Sequence, residues 1–323
     1  MTHFAVTTPV DAVLTWDYDS TSPRLRSLYE RAKHGQWNAT TDLDWSTPVE
    51  FGARLPEDSG FAMESFRSSP LARRGPGAWD AFRWELQSWM VSQFLHGEQG
   101  ALVVAGRLVQ VLPDLDSKFY AASQVVDEAR HVEAFSRYLR EKVPHPYAIA
   151  GSLRQLLSDV LSDNRWDVTA LGMQIMVEAL AMAAFRLANS TFHDDLIREI
   201  TRLVARDEAR HVSFGVLSLE GLYSELTTAE RGDREELVLE SAALIRRRFL
   251  LEDIWERLDV DRAEGMAYAA ADPLMVAYRQ AIFTKVVSAL GKIGLLTTRV
   301  RDGLAALDLI GFASDRSLHG AFR

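Results

Sequence analysis

The sequence predicts an all-α protein built around a four-helix bundle that carries a dinuclear metal site in its core. Three observations support this prediction: a short segment that occurs twice, a further glutamate that precedes each copy at the same spacing, and the lack of any useful run of strand-like alternation. The chain has 323 residues, of which 47% are hydrophobic and 25% charged, as in an ordinary globular protein.

The repeated segment is DEARHV, which occupies residues 127–132 and returns unchanged at residues 207–212. Each copy contains Glu-x-x-His: Glu128 with His131, and Glu208 with His211. Residues three apart lie on one face of a helix, so each carboxylate and its imidazole can point at the same place. That pairing of side chains favours a metal site, and it suits iron or manganese better than calcium or structural zinc.

Two further glutamates repeat in the same register. Glu98 precedes Glu128 by the same interval that separates Glu178 from Glu208. A turn lies midway in each interval, at residues 112–114 and at residues 191–194. A helix rises about 1.5 Å per residue, so two antiparallel helices joined at such a turn bring their glutamates to the same height. Four carboxylates and two imidazoles then meet inside a four-helix bundle, as in di-iron and di-manganese carboxylate proteins.

The elements follow in order along the chain. Residues 1–22 are expected to form an extended arm, and Pro23 opens a short helix. Residues 36–45 form a polar loop with Trp37 and Trp45, which either face a pocket or fix the arm to the bundle. Residues 56–77 are expected to be loop. The first two bundle helices are expected at residues 78–112, with Glu98, and at residues 116–143, which end before Pro144.

A connector follows at residues 147–165, with one helical stretch at 148–161. Because it is long enough to traverse the bundle, the sequence does not determine the direction of the next helix. The third and fourth bundle helices are expected at residues 167–190 and 194–223. Residues 227–258 form an amphipathic helix, and residues 273–309 form two more helices that meet near Gly291 and Gly294. We therefore predict a single domain, composed of an N-terminal arm with a short helix and loops at 1–77, a metal-binding bundle at 78–225 and C-terminal helices at 226–323.

Composition excludes several classes of function. The net charge of −9 disfavours nucleic-acid binding. The chain has no cysteine, which excludes disulfides and cysteine-ligated iron–sulfur clusters, so any electrons must come from outside. The N-terminus lacks the pattern of a secretory signal, and the longest apolar stretch, at residues 171–185, is too short to span a bilayer. We expect no membrane span and a cytoplasmic protein.

Other residues near the motifs have expected supporting roles. Asp127 and Asp207 each lie four residues before a motif histidine and could accept its second ring N–H, from their own helix or from the facing one; a surface charge is the alternative. Arg130 and Arg210 point away from the metals and are expected to pair with Asp or Glu. Apolar residues near the predicted ligands could wall a substrate cavity or form plain core: Phe94, Phe135, Met182 and Phe185.

The two Asp-Glu-x-Arg-His motifs, each preceded at the same spacing by a lone helical glutamate, resemble the ferritin-like di-iron carboxylate superfamily. They are most similar to the catalytic subunits of bacterial multicomponent monooxygenases, which oxidise methane, toluene and phenol. This resemblance implies a ferritin-like bundle that binds two iron ions, or manganese and iron, and activates O2 with electrons from a reductase or ferredoxin. It implies six metal-ligating catalytic residues: Glu98, Glu128, His131, Glu178, Glu208 and His211.

Two positions depart from the resemblance. Phe135 lies four residues after His131, where the ribonucleotide reductase radical subunit has its tyrosine, so no tyrosyl radical can form there. Ala181 and Met182 replace the threonine that monooxygenases and desaturases place one turn after the Glu178 position. The resulting expectation is an oxygenase that hydroxylates or N-oxygenates a small, largely apolar or aromatic substrate.

Alternatives remain. A desaturase or other oxidase, including a mixed Mn/Fe ligand-binding oxidase, would use the same ligands. A metal-storage or metal-sensing protein is disfavoured by the long segments on either side of the bundle. The sequence leaves open the substrate, the electron donor and whether the chain forms a homodimer.

Overall fold

The computed structural model describes residues 4–7, 12–20 and 22–311 of the chain. Within these residues all regular structure is helical, which confirms the predicted all-α class. The first half contains α1 (Pro23–His34), α2 (Gly60–Ser68), α3 (Pro76–Val111), α4 (Leu115–Lys142), α5 (Gly151–Ser162), α6 (Trp166–Ala170), a π-helix (Leu171–Glu178) and α7 (Ala179–Thr191). The second half contains α8 (Asp195–Leu219), α9 (Leu222–Glu225), α10 (Thr228–Arg248), α11 (Glu252–Arg257), α12 (Arg262–Ala271), α13 (Pro273–Lys292) and α14 (Thr298–Ala306).

Four long helical segments form the central bundle: α3, α4, the continuous run from α6 through the π-helix to α7, and α8. Helix α3 packs along α4, α7 packs along α8, and α4 packs on α8. The N-cap of α4 is Asp114, whose side chain accepts a hydrogen bond from the backbone N of Ser117. The N-cap of α8 is Asp194, which accepts from the backbone N of Ile197. Asp114 and Asp194 are separated by the same interval as the two motifs, so the repeat includes the turns as well as the glutamates.

The connector between α4 and α6 determines the direction of the third bundle helix. Its first part lies beside the N-terminal half of α3, where the Gln93 side chain donates a hydrogen bond to the backbone O of Ala148 (2.9 Å). Its end lies farther along α3, where Arg107 donates to the backbone O of Asp163 (2.9 Å). The third helix therefore starts beside the C-terminal half of α3 and runs antiparallel to it, parallel to α4. One long crossover of this kind is typical of ferritin-like bundles.

The third bundle helix contains eight residues of π-helix, Leu171–Glu178, between two α-helical parts. The run Trp166–Thr191 is long and apolar enough to cross a membrane, but 94% of its most apolar part is buried inside the fold. It is the central core helix of the bundle, packed against α8, α10 and α13. A π-helical segment inside an α-helix frequently marks a functional site.

Three helical features differ from the sequence-based expectation. Residues 56–77 are not wholly loop, because α2 forms within them; Ser65 of α2 donates a hydrogen bond to the Asp272 carboxylate (2.9 Å), a distant contact that local sequence does not reveal. The predicted helix at 227–258 is interrupted after α10, where Leu251 adopts a left-handed conformation (φ 59°). Helix α12 was not predicted at all.

The N-terminal arm and α1 lie against the bundle. Residues 12–20 have no helix, as expected for an arm, and the backbone N of Val13 bonds to the backbone O of Gln110 (2.8 Å). Helix α1 packs on α4 and α8, the two helices that carry the repeated motif. Buried apolar side chains form one continuous core cluster that extends from Leu25 to Leu309.

Candidate metal centre

The six predicted ligand residues come together in the bundle core, and all six are buried. Their side chains fall into two overlapping groups whose potential ligand atoms lie within 4.8 Å of one another. One group contains Glu98, Glu128, His131 and Glu208; the other contains Glu128, Glu178 and His211. Glu128 belongs to both groups, so it occupies the position of a carboxylate that could bridge two metal ions.

Both histidines present the same ring atom to the carboxylates. His131 Nδ1 lies 3.1 Å from Glu98 Oε2 and 3.5 Å from Glu208 Oε1. His211 Nδ1 lies 3.1 Å from Glu128 Oε1 and 3.3 Å from Glu208 Oε1. Each imidazole can therefore offer Nδ1 to a metal while its Nε2 faces away from the cluster.

The Nε2 atom of each histidine faces an aspartate on the opposite motif helix. His131 Nε2 lies 3.3 Å from Asp207 Oδ2, and His211 Nε2 lies 3.2 Å from Asp127 Oδ2. Of the two arrangements open from the sequence, the facing helix supplies the partner. A carboxylate in this position holds the proton on Nε2, leaves Nδ1 free as a ligand and orients the ring.

Two arginines neutralise the aspartates. The Arg130 guanidinium lies 2.5 Å from Asp127 and 3.0 Å from Asp207, and the Arg210 guanidinium lies 3.0 Å from Asp127 and 2.8 Å from Asp207. Trp37 adds a buried hydrogen bond from Nε1 to Asp207 Oδ2 (2.7 Å). The loop that follows α1 thus closes the outer side of the histidines, and Trp37 fixes it there.

Several buried polar atoms of the cluster make no well-aligned hydrogen bond, although His211 Nδ1 lies within ion-pair distance of two carboxylates; these atoms are Glu128 Oε2, Glu178 Oε2, both carboxylate oxygens of Glu208, and His211 Nδ1. A buried carboxylate or imidazole without a partner is costly. Atoms of this kind, all directed at one small volume, are what a pair of metal ions would satisfy. The donor set of carboxylate oxygen and imidazole nitrogen fits iron or manganese.

The electrostatics of the cluster agree with this fit. Burial, together with the neighbouring carboxylates Glu208 and Glu128, raises the pKa of Glu98 well above its usual value. Burial also raises the pKa of Glu178 and of Glu208. Burial alone would raise the pKa of Glu128, but His211 and His131 lower it well below the usual value. A group of buried carboxylates of this kind favours added positive charge, which metal cations would supply.

The π-helix positions Glu178, its last residue. The Gln124 side chain donates hydrogen bonds to Glu178 Oε1 (2.8 Å) and to Glu128 Oε1 (3.1 Å), and its Oε1 accepts from Gln174 of the π-helix (3.4 Å). The π-helix fits closely on α8, because a Cβ added to Gly215 would lie 2.4 Å from Gln174 Cβ. This close packing sets the height of Glu178 relative to Glu208.

A small cavity of about 30 Å³ adjoins the cluster. Glu98, Glu178 and Glu208 line one part of it. Its remaining wall consists mainly of apolar side chains, among them Phe94, Val177, Leu180, Ala181 and Phe185. The volume holds about two water molecules.

The four predicted cavity residues divide into two pairs. Phe94 and Phe185 line the cavity, with ring centroids 4.5 Å apart. Phe135 does not line it but lies behind them, 5.9 Å from the Phe94 ring and 5.8 Å from the Phe185 ring. Met182 is buried but does not line the cavity; its neighbour Ala181, three residues after Glu178, does.

Other residues at the site were not predicted from the sequence. Gln124 lies one turn before Glu128, a spacing that could have indicated it. Tyr120, two turns before Glu128, is buried with no hydrogen bond to its hydroxyl, and burial raises its pKa. Arg248 reaches the cavity from α10, and no sequence pattern distinguishes it from the two arginines before it.

Fold and site together define a ferritin-like helical protein with a carboxylate and histidine cluster suited to a dinuclear cofactor, which is the class of di-iron and Mn/Fe oxygenases and oxidases. Residues 98–294 match the family described as p-aminobenzoate N-oxygenase AurF. The match covers more than half of the chain, and the chain belongs to the AurF family. It is an O2-dependent oxidoreductase that acts on a small molecule.

The chain is similar to solved structures, and the first of the two below supports the fold. A valine-to-leucine variant of R2-like ligand-binding oxidase with a Mn/Fe cofactor is 17% identical, with a TM-score of 0.50, over 87% of this chain and 96% of that chain. An aerobically reconstituted valine-to-isoleucine variant of the same oxidase is 17% identical, with a TM-score of 0.48, over 91% of this chain and 96% of that chain. No curated protein sequence matches the chain.

Proposed function

We propose that the chain is a dinuclear-metal oxygenase that transfers oxygen from O2 to the amine nitrogen of a small aromatic substrate. Its proposed ligands are Glu98, Glu128, His131, Glu178, Glu208 and His211. The observation that carries the proposal is the set of unpartnered oxygen and nitrogen atoms directed at one point beside a largely apolar cavity. The choice of nitrogen as the atom oxidised rests on the family, whose description names a p-aminobenzoate N-oxygenase.

When bound, a dinuclear iron or Mn/Fe cofactor supplies the electrons for O2 reduction. The chain's own residues hold and shield that chemistry. Asp127 and Asp207 keep the protons of His211 and His131 on Nε2, so that Nδ1 stays available. The rings of Phe94 and Phe185 form an apolar wall beside the glutamates and limit the access of bulk water to them.

An aromatic substrate does not fit the cavity of about 30 Å³ as it stands. A second cavity of about 470 Å³ lies nearby, lined in part by Met90, Phe192, Phe249 and Tyr278. The rings of Phe94 and Phe192 lie 6.4 Å apart, centroid to centroid, so the walls of the two cavities touch. We propose that the substrate enters from the larger cavity and displaces this wall to reach the cluster.

Three finer proposals accompany the reaction. Because the chain has no cysteine to hold an iron–sulfur cluster of its own, a separate reductase or ferredoxin supplies the electrons. A homodimer is supported by the exposed side chains of Leu14, Trp16 and Tyr18 along the arm, which present apolar surface to solvent. The predicted location is the cytoplasm, whose reducing conditions suit an electron donor and a chain without disulfides.

The test supplies iron-loaded, chemically reduced protein with ¹⁸O2 and 4-aminobenzoate and analyses the products by mass spectrometry. The proposal predicts hydroxylamino or nitro products that carry ¹⁸O. The matched control is Glu128→Ala, which should abolish the product and most bound metal. An oxidised product that carries no ¹⁸O would instead identify an oxidase or desaturase. Formation of labelled product by the Glu128→Ala variant at the wild-type rate would refute the assignment of the site.

A further inference from the structure

The larger cavity, of about 470 Å³, is too big to be a packing defect. Protein interiors are close-packed and contain few voids larger than a water molecule, whereas ligand sites typically have volumes of about 300–1,000 Å³ and mainly apolar walls. The walls of this cavity are mainly apolar and include five aromatic side chains: Trp79, Phe82, Phe192, Phe249 and Tyr278. Its size and lining are those of a site that binds an organic molecule.

The cavity has a polar mouth and an apolar interior. Glu57, Ser59, Ser190 and Thr191 line it and are exposed to solvent, so they mark the mouth. Four of the five aromatic side chains are buried, and so is Met90. A ligand in this cavity would therefore have an apolar body, with one end close to solvent.

Helix α3 lines both cavities with one continuous face. Residues three or four apart lie on the same face of a helix, and the lining residues of α3 follow one another at these intervals. Those at the larger cavity are Trp79, Phe82, Leu86 and Met90, and those at the small cavity are Phe94, Glu98 and Ala101. The two cavities therefore lie end to end along α3, and the small cavity is the one that contains the glutamates.

The distance along α3 sets the length of a molecule that occupies both cavities. Because a helix rises about 1.5 Å per residue, Met90 and Glu98 are about 12 Å apart along the axis. Phe94 lies midway between them, and its ring contacts the wall of the larger cavity at Phe192 (6.4 Å between centroids). A molecule that keeps its body in the larger cavity and presents a group to Glu98 must therefore extend for about two helical turns past Phe94.

We propose that the larger cavity binds the body of an elongated aromatic amine. The amine passes Phe94 and lies beside the glutamates, while an apolar extension on the opposite side of the aromatic ring stays in the larger cavity. The larger cavity is then part of the substrate site and selects for length, in addition to being the route of entry. This proposal rests on the proposed function and names the size and polarity of the substrate.

Binding is measured by calorimetry on iron-loaded, reduced protein without O2, so that no turnover occurs. The ligands are aniline and 4-hexylaniline, which differ only in the apolar extension. Each buried methylene tightens binding about fourfold, so wild-type protein should bind 4-hexylaniline at least about 100-fold more tightly than aniline.

A variant that fills the larger cavity should affect only the long ligand. Leu86→Trp adds bulk from α3, so it should weaken 4-hexylaniline binding at least about tenfold and leave aniline binding within about twofold. Ala62→Leu adds bulk from α2 and should reproduce this selective loss, so the test does not depend on one variant. Val103→Trp is the matched control, because Val103 lies on α3 with its side chain exposed, and it should behave as wild type.

The proposal is overturned if wild-type protein prefers 4-hexylaniline by a smaller factor, or if both filling variants leave its binding unchanged. Equal loss of both ligands in the filling variants would also overturn it, because that pattern indicates a route of entry or a structural defect. Turnover of 4-hexylaniline with ¹⁸O2 then gives the orientation. Label on the nitrogen supports the proposal, whereas label on the hexyl chain means that the chain faces the glutamates and overturns it.

Metal content and O2 consumption are measured on the same samples. Their absence in wild type refutes the proposed function. Normal values without a preference for 4-hexylaniline refute only the role of the larger cavity.

Discussion

Replacement of Asp207 by asparagine tests how the site is supported. Asp207 receives hydrogen bonds from Trp37 Nε1 (2.7 Å), from Arg130 (3.0 Å) and from Arg210 (2.8 Å), and its Oδ2 lies 3.3 Å from His131 Nε2. The substitution keeps the shape of the side chain but removes its charge. It leaves two largely buried guanidinium groups with one buried carboxylate, that of Asp127.

Two effects of different size are expected. Removing one partner from a buried, hydrogen-bonded ion pair costs about 3–5 kcal/mol of folding free energy. Loss of a carboxylate behind a metal-ligating histidine typically weakens metal binding about 10- to 100-fold, which corresponds to about 1.4–2.7 kcal/mol. The equivalent change at Asp127, whose partner is His211, should weaken the other metal position.

The assay is a competition titration of Fe(II) or Mn(II) against a chelator, combined with denaturant unfolding of the metal-free protein. Asp195→Asn is the matched control, since Asp195 lies on the same helix with a side chain that is 88% exposed; its effect should stay within about 0.5 kcal/mol. Wild-type affinity for both metals in the Asp207→Asn protein would refute the reasoning, because the aspartate would then have no influence on His131.

Two further predictions follow from the same core. Gly215→Ala places a Cβ 2.4 Å from Gln174 Cβ, so it should cost about 1–3 kcal/mol of folding free energy and lower metal occupancy by moving the π-helix. Gly106→Ala is the control: nothing lies within 4 Å of its added Cβ, so it should stabilise the protein by about 0.5–1 kcal/mol. Thermal unfolding that ranked the two variants in reverse would contradict the packing argument. Burial raises the pKa of three cluster glutamates, so protons compete with metal ions for these carboxylates. Apparent metal affinity should therefore fall as the pH falls, and uptake without proton release, measured by calorimetry in buffers of different ionisation enthalpy, would contradict this assignment of charge.

Much of the site could be predicted because its residues repeat with a fixed offset. The chain turns at Asp114, near the middle of the interval from Glu98 to Glu128, so the two glutamates lie at the same height on adjacent antiparallel helices. The second motif repeats this spacing, so Glu178 and Glu208 are placed in the same way. The geometry then depends only on the helical rise and on turns that contain recognisable caps. The six residues do meet in the structure, and the fold class follows from the same pattern.

Other features depend on contacts that the sequence does not encode locally. The π-helix lies within a largely apolar helix, and neither composition nor periodicity reveals it. Helix α2 forms against Asp272 of a distant segment. The pairing of His131 with Asp207 rather than with Asp127 depends on the distance between two helices. Arg248 reaches the cavity because α10 ends beside it, a consequence of tertiary packing alone.

The central claim is that the buried cluster holds two metal ions that react with O2. The most direct test is elemental analysis of purified, metal-loaded protein, followed by optical spectra as the reduced protein is mixed with O2. We expect two iron ions, or one manganese and one iron, per chain, together with a transient oxygen-dependent absorption. A single zinc ion, or no bound metal after iron loading, would mean that the four glutamates and two histidines form a polar core and would contradict the account.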